Sequence, residues 1–303
     1  MNRRARQRGV ALLIVLIALV FMTLIAVRLS DSTTLSLKRA ERSLIAPQLR
    51  WMLMSAENAG LQNLSAVLNQ PVQYVSLTQP WARPVSLNVA HGTASARILS
   101  GQNCLNLNVM STFPERDDGK SLARNAIFQT LVFSGLNNAQ ASKVIDTFAS
   151  RLRANKNAPL LDIYALKQAD GMAQWRPSEI AKWLCTLPDT QTLIAINLLT
   201  PEDALLLQLL SQNQLSVAQA RQIITARPAE GWRTIEDVQQ ALHVDGEPLS
   251  PALLSLLSVE AKYFIIDSRA TLAGQKMTMQ SAVMVDKKTK QITVWKRRLT
   301  LME

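Results

Sequence analysis

The sequence predicts an α+β fold, and three features of its 303 residues carry that prediction. An apolar run near the N-terminus continues into a helical pattern that extends to about residue 70. Residues 121–258 are helical in character, and the residues after them alternate apolar and polar side chains as antiparallel strands do. Because a helix stripe and a sheet face must each be buried, we expect the N-terminal helix to pack on a small antiparallel sheet.

The N-terminus combines a basic segment with a membrane-length apolar run. Residues 1–9 contain four arginines and no acid, and Val10–Val27 is apolar except for Thr23. That run is just long enough to cross a bilayer as a helix, which takes about 17 to 25 residues. The upstream positive charge predicts a cytoplasmic N-terminus and a body across the membrane. The chain carries +11 and the remainder without these arginines only +7, so charge alone supports nucleic-acid binding weakly.

Three interpretations of this N-terminus compete. A cleaved signal peptide should end in small residues, and Ala26-Val27-Arg28 is a poor cleavage site. A plain membrane anchor fits the apolar run but gives no reason for Gly9. The third interpretation is a short basic leader that ends at Gly9, followed by a helix that stays in the mature protein. A twin-arginine signal is not supported, because nothing beyond Arg3-Arg4 matches that pattern.

Helix and strand signals divide the rest of the chain. The helical pattern continues over residues 28–70, and Pro47 is predicted to kink or restart it, because proline cannot donate a helical hydrogen bond. Residues 71–120 and 259–303 are predicted to form the sheet region. The expected strands lie near 94–99 and at 258–272, 277–285 and 291–299, with hairpin-like links between the last three.

The helical region contains a weak duplication. Residues 136–145 parallel residues 215–224, and in both segments a leucine precedes an N-cap residue, Asn137 or Ser216, with a glutamine three positions later. This is the spacing of a capping box. Two similar units, about 121–186 and 197–258, are therefore predicted. Further helix starts are expected at Thr200-Pro201 and Ser250-Pro251, and helical stretches that begin near Asp162 and Thr234 are expected to end at Asp170-Gly171 and Asp245-Gly246.

The paired helices raise an alternative function. Helix-hairpin-helix modules bind nucleic acid through glycine-containing hairpins whose backbone amides meet phosphate. The first hairpin has Gly135, whereas the second has Gln214, whose side chain hinders such a close approach. A membrane-anchored helix-hairpin-helix protein that binds DNA therefore stays an alternative, and no nucleic-acid partner is our expectation.

The sequence offers no catalytic or metal-binding motif. Residues 117–121 end like a P-loop, but Pro114 stands where that motif needs its first glycine. His91 and His243 are far apart and have no ligand spacing around them. We therefore expect no enzyme activity. Cys104 and Cys185 favour a disulfide over two free buried thiols, because an even count of cysteines in an oxidising compartment suggests that they are paired.

Residues 8–16 resemble the N-terminus of type IV pilin-like proteins, in which a prepilin peptidase cuts after the glycine and the new N-terminus is methylated. The resemblance implies cleavage between Gly9 and Val10 and N-methylation of Val10. The fifth residue after the cut is usually a glutamate in that family, and here it is Ile14. The K-type minor pseudopilin of type II secretion (general secretion pathway protein K) is similar in lacking that glutamate. A membrane carboxylate costs about 2.5 to 3.5 kcal/mol, and a subunit with no neighbour ahead of it has no amine to offset that charge.

Later segments also resemble the K-type pseudopilins, namely Cys104–Asn108, Leu184–Pro188 and Ile196–Pro201. The family implies a pilin-like long helix on a small sheet, interrupted by a large all-helical insertion of sterile-alpha-motif-like build. A disulfide between Cys104 and Cys185 would tie the strand region to that insertion. The calcium site of the family is not matched, because the tryptophan and aspartates expected after Asp146 are missing and the acidic loop before Asp162 is shortened. We therefore expect no cofactor.

The family resemblance also implies a function. It implies a single-pass inner-membrane protein with a periplasmic body that caps the tip of a pseudopilus and helps to initiate its assembly for protein export across the outer membrane. The implied partners are the I-type and J-type minor pseudopilins, then the H type, the major G-type pseudopilin, the inner-membrane assembly platform and the prepilin peptidase. A tip subunit of a type IV pilus would share the leader and stays a second alternative.

Overall fold

One long helix forms the spine of the protein. In the computed structural model, which describes residues 4–68, 74–89, 92–112, 118–156, 158–163, 183–191, 193–244, 246–286, 288–289 and 291–302, helix α1 runs over Arg4–Leu68. It continues through Pro47, so the helix does not restart there, and a kink, the other predicted effect of this proline, stays a prediction. Ile45 and Leu49 are buried on either side of the exposed Pro47. Their packing on the body offsets the missing backbone hydrogen bond.

A five-stranded antiparallel sheet packs against the second half of α1. Its order is β1-β2-β9-β10-β11. Every pair of neighbours in it is antiparallel. The strands are β1 Val85–Val89, β2 Gly92–Ser100, β9 Tyr263–Leu272, β10 Gln275–Asp286 and β11 Gln291–Met302.

The sheet agrees with the predicted strands in three places and differs in two. Strand β1 was not predicted as a separate strand. The predicted strand 258–272 is divided, since the two-residue strand β8 (Leu257–Ser258) belongs to the insertion and β9 begins only at Tyr263. Between them lie residues 259–262, where the Glu260 carbonyl and the Lys262 amide bond to the Gln102 side chain and the Lys262 carbonyl accepts from the Val285 amide.

Small residues bring α1 close to the sheet. Gly60 lies so near strand β9 that a Cβ at this position would be 3.0 Å from Ile266 Cγ2. Ala94 and Ala96 on β2 are buried in the same layer. The core between helix and sheet is completed by Leu49, Leu53, Ala56, Leu64, Ile98, Phe264, Met279 and Val283.

The insertion leaves the sheet after β2 and returns to it before β9. Its described helices are α2 Asp118–Phe133, α3 Asn138–Ala154, α4 Ala204–Leu210, α5 Val217–Thr225, α6 Ile235–Ala241 and α7 Pro251–Leu254. They share a separate apolar core, which includes Ile127, Phe148, Leu207 and Trp232. The α+β fold class is therefore confirmed.

The predicted helix starts agree well with the structure. Asn137 and Ser216 are N-caps with complete capping boxes, and Thr234 and Ser250 also cap helices. A capping box around Thr200 opens a 3-10 turn, Pro201–Asp203, that leads directly into α4. Helix α6 ends at Ala241, before the expected stop at residues 245–246, because the chain enters a short β6-β7 hairpin, His243–Val244 and Glu247–Pro248. The other expected stop, at residues 170–171, lies outside the described residues.

Each half of the insertion is closed by a short parallel ladder. Strand β3 (Leu105–Asn106) pairs with β4 (Leu184–Cys185), and β5 (Ile194–Ala195) pairs with β8. A 3-10 helix follows each entering strand, Leu107–Thr112 after β3 and Ile196–Leu198 after β5. We call residues 105–185 unit one and residues 194–258 unit two.

Candidate anchor and assembly surfaces

The first half of α1 is apolar and uncovered. Residues Leu12–Ser30 have a mean hydropathy of 2.9, and none of this segment is buried within the protein. Ile14, the residue that replaces the usual glutamate, is 59% exposed in this segment. An apolar helix of this length without a protein covering is the form of a single-pass membrane anchor.

A second exposed apolar face lies on α1 beyond the anchor. Leu44 and Trp51 are each 69% exposed and stand seven residues apart, and Met54 is 49% exposed. The neighbouring Ile45, Leu49 and Leu53 are buried against the sheet. Because residues seven apart share a helix face, Leu44 and Trp51 form an apolar stripe that points away from the body.

Two buried asparagines at the start of unit one form hydrogen bonds with backbone groups further along the chain. Asn106 Nδ2 donates to the carbonyl oxygens of Asp189 and Gln191, at 3.0 and 2.9 Å, and its Oδ1 accepts from the Leu187 amide at 3.0 Å. Asn108 Nδ2 donates to the carbonyls of Leu160 and Leu187, both at 2.8 Å, while its Oδ1 accepts from the Leu160 amide at 2.9 Å. Both side chains are fully buried. The two asparagines of the Cys104–Asn108 segment thus bond to backbone groups of the exit segment and, at Leu160, of the segment that follows α3.

The same entrance carries the disulfide. Cys104 and Cys185 are bonded, and their Cα atoms lie 5.8 Å apart. The bond joins positions 81 residues apart in the sequence, immediately beside the β3-β4 ladder. It ties the chain that enters unit one to the chain that leaves it.

Unit two has a similar set of side-chain to backbone hydrogen bonds, formed by a single asparagine. Asn197 Nδ2 donates to the Trp232 carbonyl at 2.8 Å and its Oδ1 accepts from the Trp232 amide at 2.9 Å, the pattern that Asn108 makes with Leu160. Gly231 has φ +81°, and a Cβ there would meet Asn197 Cγ at 2.9 Å. Arg227 Nη1 donates to the carbonyl of Leu199 at 2.8 Å, and burial lowers the pKa of this guanidinium. This repeat was not predicted from the sequence, although residues 105–108 (LNLN) and residues 194–197 (IAIN) correspond to each other.

The two hairpins differ more than their sequences suggest. In unit one Gly135 has φ +101° and its amide bonds back to Val132. In the hairpin of unit two the residues with positive φ are Gln212 and Asn213, so Gln214, which stands where Gly135 stands relative to the N-cap, does not share its left-handed backbone. The second hairpin has two more residues between the end of α4 and its N-cap Ser216 than the first has between α2 and Asn137. These extra residues place the positive-φ residues of the second hairpin farther from its N-cap than Gly135 is from Asn137.

A cleft of about 480 Å³ lies where the units join the sheet. Buried Gln102 holds three chain segments there, since it donates to the carbonyls of Leu193 and Glu260 and accepts from the amides of Lys262 and Tyr263. Tyr263 Oη donates to Asp189 Oδ2 at 2.6 Å, and burial, followed by this carboxylate, raises the pKa of the Tyr263 phenol. The polar groups of the cleft that are buried deepest are already used to fix the junction.

The described residues contain no group of three or more His, Cys, Asp or Glu side chains that could hold a metal ion. Asp146 lies near Arg124 and Asp162 near Lys296, in partly exposed ion pairs. His243 is exposed on the short hairpin, and His91 lies outside the described residues. Gly9 and Val10 belong to the first turns of α1, and cleavage between them stays a prediction.

The fold and the exposed helix define a class of protein, one with a pilin-like α+β fold, an N-terminal apolar helix long enough to span a membrane, and a helical insertion. Comparison with known proteins narrows this class. The family model of type II secretion system (T2SS) protein K matches residues 194–260, the segment that forms unit two and its exit. The type II secretion system protein K of Aeromonas hydrophila is 28% identical over 97% of both chains. The putative type II secretion system protein K of Escherichia coli K12 is 24% identical over 97% of this chain and 98% of its own.

A solved structure shares the fold. It is titled as the GspK-GspI-GspJ complex of the type 2 secretion system from enterotoxigenic Escherichia coli, and its matching chain has a TM-score of 0.70 at 22% identity. The match covers 86% of this chain and 99% of that one. The resemblance to the K-type minor pseudopilins of type II secretion is therefore confirmed.

Proposed function

We propose that this protein is a non-catalytic minor pseudopilin that caps the tip of a type II secretion pseudopilus. The observation that carries the proposal is the order of parts along α1. The helix begins with the uncovered apolar segment, passes the exposed stripe at Leu44 and Trp51, and then packs on the sheet. The insertion follows at the end farthest from the anchor.

The direction of the sheet supports this order. Met52 approaches Gly92 at the start of β2, whereas Gly60, two helical turns further from the anchor, approaches Ile266 in the middle of β9. Strand β2 therefore runs away from the anchor and delivers the chain to the insertion at the far end. A subunit of similar build has no uncovered continuation of α1 to extend there, which suits a terminal position in a filament.

The exposed stripe on α1 is the proposed assembly surface. We infer that it packs against the N-terminal helices of the I-type and J-type minor pseudopilins, with which the related K protein is titled in complex. The H-type and major G-type pseudopilins and the assembly platform would then be added below. The anchor is proposed to lie in the inner membrane with the N-terminus in the cytoplasm and the body in the periplasm, in agreement with the arginines of residues 1–9.

The DNA-binding alternative loses support from charge. Unit two has seven acidic and three basic residues, a formal charge of −4, which repels a phosphate backbone. Its hairpin also presents the side chains of Gln212 and Asn213 where a phosphate would need bare backbone. The names of the relatives likewise favour type II secretion over a type IV pilus.

The first experiment is N-terminal sequencing with intact mass of the membrane-embedded chain, produced with and without a prepilin peptidase. We expect a chain that begins at N-methylated Val10 only when the peptidase is present, and an uncleaved chain for Gly9→Val. Retention of Met1, or a cut after the apolar run, would overturn the pseudopilin assignment.

A second experiment tests the assembly surface. Trp51→Glu should reduce copurification with the I-type and J-type subunits about tenfold, because a charge would enter an apolar helix contact. Leu77→Glu is the matched control, since Leu77 is also exposed, at 44%, but lies outside α1. Equal losses for both variants would show that Trp51 is not part of a specific contact.

A further inference from the structure

On the face of the sheet opposite α1, the part farther from the anchor contacts unit one, where Lys296 donates to the Leu161 carbonyl and pairs with Asp162. The part nearer the anchor is uncovered in the portion of the chain that the structure describes, and its charge is one-sided. Arg97, Asp267, Gln280 and Arg298 lie side by side on four neighbouring strands, as the strand registers give them. Arg269 and Lys276 belong to the same face, one row and two rows nearer the anchor. Arg97, Arg269, Lys276 and Arg298 are all exposed.

Asp267 is the single acid among these residues, and it is paired with Arg269. Asp267 Oδ2 accepts from Arg269 Nε at 3.1 Å and from Arg269 Nη2 at 2.9 Å. Among the described residues, no ion pair or side-chain hydrogen bond joins Arg97, Lys276 or Arg298 to another residue. Three uncompensated cations therefore share a flat area about 15 Å wide, since neighbouring strands are roughly 4.8 Å apart.

An ordinary solvent-facing sheet explains polar residues on this face but not their sign. Soluble surfaces usually intersperse both charges, and basic residues that merely protect a sheet edge belong on the edge strand. Here the cations are spread over β2, β9, β10 and β11, three of which are interior strands. The distribution indicates a surface for an anionic partner.

We propose that this open sheet face is a docking surface for a protein with an acidic face. A flat sheet of hydroxyl and guanidinium groups matches the carboxylates of such a partner, and Arg binds carboxylates in a bidentate geometry. This surface is distinct from the apolar stripe of α1, and the argument uses the proposed anchor only to decide against a lipid partner.

Anionic lipid fits the position poorly. Residues 31–44 of α1 separate the anchor from the sheet by about 21 Å, which exceeds a Debye length of roughly 8 to 10 Å. The sheet packs along the helix, so its open face stands upright on the membrane. Single-stranded nucleic acid is disfavoured as well, because this face carries no exposed aromatic side chain among the described residues on which bases could stack.

The test uses the full chain in nonionic-detergent micelles and poly-L-glutamate as the probe. The variant Arg97→Gln with Arg298→Gln removes two unpaired cations of the face. Arg221→Gln with Arg233→Gln removes the same charge from exposed positions of unit two. We expect the face variant to bind roughly tenfold more weakly and the control variant less than twofold, with the difference shrinking as salt is raised.

Three outcomes would overturn the proposal. Equal losses in both variants would mean that net charge alone attracts the probe. Binding to anionic phosphatidylglycerol vesicles that falls in the face variant, while poly-L-glutamate binding does not, would assign the face to lipid. Binding of single-stranded DNA with the same pattern would assign it to nucleic acid. Peptidase cleavage and the Trp51→Glu copurification test are independent of these residues, so failure here leaves the tip-subunit proposal standing.

Discussion

The two units of the insertion share one plan but are fastened differently. In each, a short strand enters, an asparagine on the following 3-10 helix binds the backbone beyond the second helix, and an exit strand returns beside the entrance. Unit one adds Asn106 and a disulfide at Cys185, whereas the corresponding residues of unit two are Ala195 and Ser258. Their charges also differ, with ten basic and seven acidic residues in unit one and three basic and seven acidic residues in unit two. The entering and exiting segments of unit two are joined by hydrogen bonds, whereas those of unit one are also joined by the disulfide.

Removal of the disulfide should have the largest effect. Cys104→Ser with Cys185→Ser frees a loop between positions 81 residues apart, and we expect a loss of roughly 3 to 5 kcal/mol of stability. Urea unfolding with and without a reductant, followed by hydrogen exchange, would measure it. We expect hydrogen-exchange protection to be lost in unit one and kept in unit two. Equal losses in both units would contradict the view that the disulfide stabilises unit one alone.

Loss of the shared asparagine should have the next largest effect. Asn108→Ala leaves two carbonyls and one amide without their partner, and Asn197→Ala leaves one of each. We expect destabilisation of about 3 kcal/mol and about 2 kcal/mol, respectively. Asn88→Ala, on the exposed strand β1, is the control and should change the urea midpoint little. The reverse order of the two asparagine effects would show that these bonds do not set the difference.

Replacement of two glycines by alanine should separate the energetic cost of backbone strain from that of steric crowding. Gly231→Ala forces a side chain both into a left-handed conformation and against Asn197, whereas Gly135→Ala meets nothing within 4 Å. We expect a cost of about 2 kcal/mol for the first and about 1 kcal/mol for the second. Thermal unfolding of the pair would test this, and a Gly135→Ala cost as large as that of Gly231→Ala would exclude crowding as the cause.

The helix caps should give the smallest and most equal effects. Asn137→Ala and Ser216→Ala each remove a capping-box side chain at the same place in the two units, and about 1 kcal/mol is expected for each. Matched urea titrations would compare them. A difference greater than the error of the two fits would mean that the units do not share this start signal.

Sequence patterns predicted what depends on local chemistry. The caps at Asn137, Ser216, Thr234 and Ser250 depend on one side chain and its neighbours, and all four begin helices. The alternation that predicted the C-terminal strands depends on one buried sheet face, and it is clearest in β10, where Met277, Met279, Ser281, Val283 and Val285 are buried.

What escaped prediction depends on partners distant in sequence. Pro47 is carried through α1 by packing against a sheet formed much later in the chain. The ladders β3-β4 and β5-β8 join residues about 60 to 80 positions apart, and two-residue strands leave no periodic signal. Asn106, Asn108 and Asn197 read as polar loop residues until their bonds to distant backbone are known. The exposed stripe at Leu44 and Trp51 became visible only when the neighbouring leucines were found to face the sheet.

The side-by-side entrance and exit of each unit bear on how the protein can change over evolutionary time. Because the chain departs from and returns to almost the same point, helices inside a unit can lengthen, shorten or be exchanged without moving the strands on either side. Each unit is in this sense a cassette, and the segment matched by the family model, residues 194–260, coincides with one of them. Lineages could thus alter the surface of the insertion while α1 and the five-stranded sheet stay the same.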